Sequence, residues 1–226
     1  MAEKYQNHGE ISLAHCGVLF LDELLEFKSE VLELLRTPLE DKTITINRIS
    51  GNLTYPSDFM LIASMNPCPC GYYGSKEKEC ICSIDQITKY RNRVSGPLLD
   101  RMDIQIEIPP VSYHDLSTQR PNESSKEIKN RVNRARKIQL DRYQKDGIYA
   151  NSQLNSQLIQ KYCQLDIESQ KLLQNAFQKL HLSARAHDRI LKLARTIADL
   201  AESKNIKINH LAEAIQYRTL DRKYWS

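Results

Sequence analysis

The sequence predicts an α/β domain followed by an all-helical one, and three observations carry that prediction. The first is Gly17-Val18-Leu19-Phe20-Leu21-Asp22-Glu23, in which four apolar residues lead straight into two carboxylates. The second is another apolar run, Phe59-Met60-Leu61-Ile62-Ala63-Ser64-Met65, which ends in Asn66-Pro67. Continuous apolar runs of this length fit strands buried on both faces, as in the parallel sheet of an α/β domain. The third is a change of period: beyond residue 120 the apolar spacing becomes helical and remains so. These divide the chain into an α/β part over 1–111, a polar linker over 112–122 and a helical part over 123–226.

In order, residues 1–16 are polar and then read Ile11-Ser12-Leu13-Ala14-His15, the tail of an element, so the chain is expected to start inside a domain. The first strand covers 17–22. Glu26 to Thr37 carries Phe27, Val31, Leu32, Leu34 and Leu35 at helical spacing, with Pro38 as the stop. Thr43-Ile44-Thr45-Ile46 alternates, Ser50-Gly51-Asn52 supplies turn chemistry, and Leu53-Thr54-Tyr55 is extended again, a hairpin. The second buried strand is Phe59–Met65. A cysteine-rich loop follows, then a helix over Ile84–Val94 and a short one over 96–101 with Pro97 near its start. Ile104-Gln105-Ile106-Glu107-Ile108 alternates as a strand, stopped by Pro109-Pro110. Helices are then expected over Lys126–Lys145, Leu158–Cys163, Ile167–Leu180, Ser183–Ser203 and Ile208–Tyr217, with Asp166 and Ser183 as N-caps.

Composition excludes several classes. At 226 residues, 41% hydrophobic and 27% charged, the chain is ordinary for a globular protein. No apolar stretch is long enough to span a membrane, and the N-terminus lacks a signal-peptide core, so a cytoplasmic protein with no membrane partner is expected. The net charge of +4 does not by itself demand nucleic acid. Four of the six cysteines (Cys68, Cys70, Cys80, Cys82) fall within fifteen residues, which in a cytosolic chain suggests metal before disulfides.

The chemistry gathers at strand ends. An acidic pair at the C-terminal end of a parallel strand lies where open α/β sheets bind ligands. In nucleotide hydrolases the first carboxylate, here Asp22, holds magnesium and the second, Glu23, polarises the attacking water. On this run alone, a solvated acidic turn remains an equal alternative. Asn66 can hydrogen-bond a γ-phosphate or orient water; the alternative is a turn asparagine before proline. Arg101 can reach a phosphate in a neighbouring subunit; the alternative is a surface arginine paired with Asp100 or Asp103. Arg185 opens a long helix at its anion-favouring end, or is simply solvated there.

Lys126–Lys145 holds eight basic residues against Glu127 and Asp141, a nucleic-acid face or, more commonly, a solvated helix surface. The four clustered cysteines can close a structural zinc site, although Cys-x-Cys is tighter than the usual pair spacing; four reduced thiols are the alternative. Finally, none of the seven glycines is followed by lysine, so no phosphate-cradling G-x-x-x-x-G-K-[ST] loop is present.

Gly9-Glu-Ile-Ser-Leu-Ala-His15, Gly17-Val-Leu-Phe-Leu-Asp-Glu-Leu24, Asn66-Pro-Cys-Pro-Cys-Gly71, Ser95-Gly-Pro-Leu-Leu-Asp-Arg101 and Ser183-Ala-Arg-Ala186 occur in this order. Together they closely resemble the bacterial magnesium-chelatase-like AAA+ ATPases of the YifB and competence protein ComM group. The resemblance covers nearly the whole chain. It implies the second half of an AAA+ module: part of a P-loop NTPase-type sheet with a hairpin before sensor 1, then a helical lid. Asp22 and Glu23 match the Walker B pair, Asn66 sensor 1, Arg101 the arginine finger, and Arg185 sensor 2. Residues 43–58 match the hairpin that faces the central pore in relatives. The resemblance implies ATP and Mg²⁺ as cofactors, a hexameric ring, and DNA as the client, since the competence group is associated with branch migration during natural transformation.

The missing phosphate loop departs from the group and predicts a C-terminal fragment or truncated product that does not bind ATP alone. Leu25 replaces the usual proline, and Cys16 replaces a polar residue. Two rival readings remain: a non-enzymatic, zinc-stabilised module that binds DNA or protein, and the ATPase subunit of a metal-chelatase-type complex.

Overall fold

The computed structural model describes residues 9–48, 51–75, 78–109, 123–180 and 182–218. The expected linker over 112–122, the hairpin turn at Ser50 and everything past 218 lie outside these residues. The chain divides into two compact units after Met102. It is a mixed α/β structure with small sheets and many helices.

In the first unit, α1 (Glu10–Leu13) leads into β1 (Val18–Leu21). A single 3-10 turn over Leu24–Glu26 precedes α2 (Ser29–Glu33) and α3 (Arg36–Asp41). Then come β2 (Thr43–Arg48), β3 (Gly51–Pro56), β4 (Met60–Ala63), α4 (Ile84–Arg91) and α5 (Gly96–Leu99). The β1 and β4 strands pair in parallel, from Val18 opposite Met60 to Leu21 opposite Ala63. The expected hairpin is the antiparallel β2–β3 pair, with the Thr45 and Thr54 hydroxyls hydrogen-bonded across it at 2.9 Å. Leu24, Leu25, Leu32, Leu35, Tyr90, Val94, Leu98 and Leu99 form the core beneath.

Four sequence expectations are corrected by the structure. The helix over Glu26–Thr37 is broken: Phe27 is extended (φ −70°, ψ 148°), and two short helices follow. Pro38 does not stop a helix; it lies in the first turn of α3, where its missing N–H removes no intrahelical bond. The β1 strand is not buried on both faces. Leu19 and Leu21 pack on the core, whereas Val18 and Phe20 are 56% and 59% exposed, and their partners Met60 and Ile62 are exposed as well. The alternating segment 104–108 joins no sheet among the described residues. Its outward isoleucines are exposed, and the Gln105 N–H donates to the Tyr217 carbonyl at 3.1 Å.

The second unit is helical: α6 (Ser125–Tyr143), α7 (Ser156–Tyr162), α8 (Ile167–Lys179), α9 (Ala184–Leu200) and α10 (Ile208–Gln216). These follow the sequence expectation within three residues at each end, close to the ordinary spread of helix boundaries. Ser183 and Asp166 cap as expected, accepting from the Ala186 and Ser169 amides at 3.1 and 2.7 Å. The core runs from Tyr143 and Leu154 through Ile190, Ala194 and Ala198 to Leu211 and Ala214.

A polar network runs through that core. Asp199 is fully buried and accepts from both guanidinium ends of Arg142, from Arg195 at 3.1 Å and from Asn151 Nδ2 at 2.9 Å. Asn151 in turn accepts from the Tyr143 hydroxyl at 2.6 Å, and Arg195 donates to the Ser203 and Lys204 carbonyls. Burial works against the Arg142 charge, and the Asp199 carboxylate more than offsets it, so Arg142 holds its proton harder than usual. No described helix is long and apolar enough to cross a membrane.

Candidate functional site

The acidic pair emerges where β1 ends. The parallel register continues past the strands: Ser64 N–H donates to the Leu21 carbonyl at 3.0 Å, and Leu24 N–H to the Ser64 carbonyl at 2.8 Å. Asp22 therefore faces Ser64, and Asn66 follows two residues on. The Ser64 hydroxyl donates to Asp22 Oδ1 and accepts from the Glu23 amide at 3.3 Å. The Glu23 amide also reaches Asp22 Oδ1, at 3.0 Å. Asp22, Glu23, Ser64 and Asn66 are all exposed, so a ligand can reach them.

Glu23 adopts a left-handed backbone (φ 50°, ψ 50°), a conformation that costs a non-glycine residue about 1–2 kcal/mol. What holds it there is the amide's pair of bonds and the burial of Leu24 and Leu25, each 1% exposed, directly after it. Sequence reasoning missed both this strain and Ser64. The strain has no composition signal, since glutamate is not a residue type that favours this region. Ser64 emerges only once the register is known.

Chemically, Asp22 and Ser64 offer hard oxygen ligands, which suit Mg²⁺ rather than a soft metal. Glu23, just after β1, offers a carboxylate, and Asn66, a few residues after β4, an amide, groups able to hold a water or a phosphate oxygen.

Arg101 is not part of this cluster. It follows α5, whose N-cap Ser95 accepts from the Leu98 amide at 3.3 Å and donates to Glu33 on α2. That hydroxyl, ahead of the Arg36 guanidinium, holds the Glu33 carboxyl below the usual range. The Arg101 side chain is only 8% exposed; it pairs with Glu40 on α3 and donates to the Pro97 carbonyl at 2.7 Å. Of the alternatives expected for it, Asp103 binds Arg189. Arg185 is exposed in the first turn of α9 and belongs to the second unit.

Three of the seven basic residues of α6 are engaged in ion pairs. Arg134 binds Glu202 at 2.6 Å, Arg131 binds Glu123 at 3.0 Å, and Arg142 enters the buried network.

The four clustered cysteines do come together. Cys68, Cys70, Cys80 and Cys82 place their sulfurs within 4.8 Å of one another, with none in a disulfide. The Tyr73 amide donates to Cys68 Sγ at 3.3 Å. A backbone N–H from Tyr72, with another from Ile81, lowers the Cys70 thiol to about 6. Cys80 receives a backbone bond from Cys82 that pulls it down, yet burial and the neighbouring Cys70 and Cys68 push it up to about 12. Burial raises Cys82 too.

Comparison with known proteins assigns the family. Residues 2–116 match the profile of magnesium chelatase subunit ChlI, and residues 122–218 match the profile of its C-terminal part. The chain belongs to this magnesium-chelatase ChlI family. It is 46% identical over 215 residues to the uncharacterized protein YifB of Escherichia coli, covering 95% of this chain and 41% of that protein. The competence protein ComM of Haemophilus influenzae is 45% identical over the same shares. An uncharacterized Mycobacterium bovis protein is 35% identical over 93% of this chain and 41% of its own length. The chain thus spans about two-fifths of the length of the curated relatives it matches.

Proposed function

We propose that this chain is the catalytic and lid half of an AAA+ ATPase that drives DNA remodelling, acting within a ring of identical subunits. The observation that carries this reading is the juxtaposition of Asp22, Glu23 and Ser64 at one end of two neighbouring parallel strands, with Asn66 two residues beyond Ser64. Membership of the magnesium-chelatase family supports ATP and Mg²⁺ as its cofactors. Asp22 would hold the ion, with Ser64 fixing the carboxylate; when bound, Mg²⁺ supplies charge neutralisation for the phosphates. Glu23 orients and deprotonates the attacking water, Asn66 hydrogen-bonds the γ-phosphate, and the resemblance gives Arg185 the sensor 2 role. Arg101, lying outside the Asp22 cluster, acts on the nucleotide of the adjacent subunit. The β2–β3 hairpin is the element that would meet the client strand.

DNA is inferred from the resemblance to the competence group, one of whose members is the Haemophilus relative. The basic residues of α6 supply some positive surface for it, reduced by their internal pairings.

The test is Glu23→Gln in a polypeptide that joins this segment to a phosphate-binding loop. ATP binding is retained and turnover abolished; retained turnover overturns the assignment. Stimulation of the unmutated ATPase by DNA supports the DNA client, and stimulation only by a metal-inserting partner protein replaces it with the chelatase reading.

A further inference from the structure

We propose that Cys68, Cys70, Cys80 and Cys82 bind one zinc ion as a closed tetrathiolate site, and that this ion ties the exit of β4 to helix α4. The site stands whether or not the chain hydrolyses ATP.

The distances argue for a metal rather than for bridges or loose thiols. The three resolved sulfur contacts, Cys68–Cys70, Cys68–Cys80 and Cys70–Cys80, are 3.4, 3.7 and 3.6 Å. A disulfide needs about 2.05 Å, so none of these pairs is bonded. Four sulfurs about 2.3 Å from a central zinc lie about 3.8 Å apart along each tetrahedron edge. The observed separations are close to that edge length, and the four sulfurs, drawn from both ends of the loop, all lie within 4.8 Å of one another.

The backbone adds one donor to the cluster: the Tyr73 amide donates to Cys68 Sγ at 3.3 Å, the kind of partner a negative sulfur favours. Four thiolates this close repel strongly unless a cation lies among them. Gly71 and Gly74, at φ +79° and +80°, supply the left-handed corners that turn the loop back on itself. With four sulfur ligands the coordination is complete, so the ion is structural and leaves no position for a substrate.

The loop's ends show what the ion would fix. Pro67, next to Asn66, has its carbonyl held by Arg91 Nε of α4 at 3.1 Å, and the Arg91 guanidinium lies 4.5 Å over the Tyr73 ring. Cys82 immediately precedes Ser83, the N-cap of α4, whose capping box with Gln86 is complete. The zinc closes the loop between these two anchors, so the strand exit carrying Asn66 and the start of α4 become one piece.

The experiment uses the full chain, purified without chelator. Elemental analysis should find one zinc per chain, and replacement by Co²⁺ should give the intense visible bands of a tetrahedral thiolate site. No bound metal overturns the site, and one iron per chain overturns its identity. Cys80→Ser should hold well under half an equivalent of zinc; full retention overturns the ligand set. Because that variant can misfold, hydrogen exchange is followed on the unmutated chain before and after zinc removal. Amides in 66–91 should exchange at least tenfold faster while those of α9 and α10 do not change. Unchanged exchange in 66–91 overturns the tie.

Discussion

Ser64, at the end of β4, donates its hydroxyl hydrogen to the Asp22 carboxylate at the end of β1. The same oxygen accepts from the amide of Glu23, so one small side chain orients both acidic residues. Partners that orient a metal-binding carboxylate typically contribute 10–100-fold in metal affinity or activity. In the polypeptide completed with a phosphate loop, Ser64→Ala should weaken Mg²⁺-dependent ATP turnover about tenfold or more, while Ser64→Thr keeps most of it. Measuring turnover against Mg²⁺ concentration separates a loss of metal affinity from a loss of the chemical step.

Glu23 is strained, and relief of that strain should be visible. Glu23→Gly removes the left-handed penalty of about 1–2 kcal/mol and gives back up to about 1 kcal/mol in unfolded-chain entropy. The variant should therefore be as stable as the parent, or up to about 1 kcal/mol more stable, in urea denaturation, yet lack turnover in the completed enzyme. A clear destabilisation would show that the Glu23 side chain supports the fold.

Arg101→Ala should separate assembly from hydrolysis. An arginine finger typically contributes on the order of 10³ or more in rate. The completed enzyme carrying this change should assemble as the parent does and hydrolyse ATP at least a hundredfold more slowly. Because Arg101 also pairs with Glu40, Glu40→Gln serves as the control for loss of that pair alone, and it should leave most turnover intact.

The Asp199 network is the most vulnerable polar feature of the helical unit. Removing one partner of a buried ion pair typically costs about 3–5 kcal/mol, because the other charge is stranded. Asp199→Ala leaves both Arg142 and Arg195 without their shared carboxylate. The thermal transition of the helical unit, followed by circular dichroism, should fall by several degrees or vanish; a shift within error would mean that the two arginines find other acceptors.

His210 makes stability pH-dependent in a predictable direction. It is 4% exposed on α10, its Nδ1 accepts from the Lys207 amide at 3.1 Å, and burial, with Lys207 and Arg195 nearby, lowers its pKa. The folded chain thus prefers neutral His210, so its contribution is fully present above the unfolded value of about 6.5 and is lost as pH falls below it. Denaturation midpoints should decline from pH 7 to pH 5, and less steeply in His210→Gln.

Much of this was legible because the signals were local. The helices of the second unit carry their own period and caps: Asp166 and Ser183 announce their helices three residues ahead of the amides they bind. The acidic pair and Asn66 were legible as strand ends, and the cysteines as a cluster. What the chain order could not convey was pairing across distance. Val18 and Phe20 read as interior because they are apolar, yet exposure depends on which strands lie beside β1. Ser64 gains its role only from the register of β4 against β1, and Asp199 only from two arginines on different helices. Pro38 looked like a terminator because its position within a helical turn is a matter of geometry rather than composition.

Val18 stands opposite Met60, and Phe20 opposite Ile62, all four on the wet side of a two-stranded parallel sheet. Parallel strands are usually covered on both faces, and two strands alone seldom hold in water. In concentrated solution this side should make the chain adhesive. Sulfate should bring it out of solution early, since excluded salts strengthen apolar association, and a mild detergent should keep it dispersed. Scattering that rises with concentration and falls with detergent would make this sheet face, rather than net charge, the limit on how the purified chain can be handled.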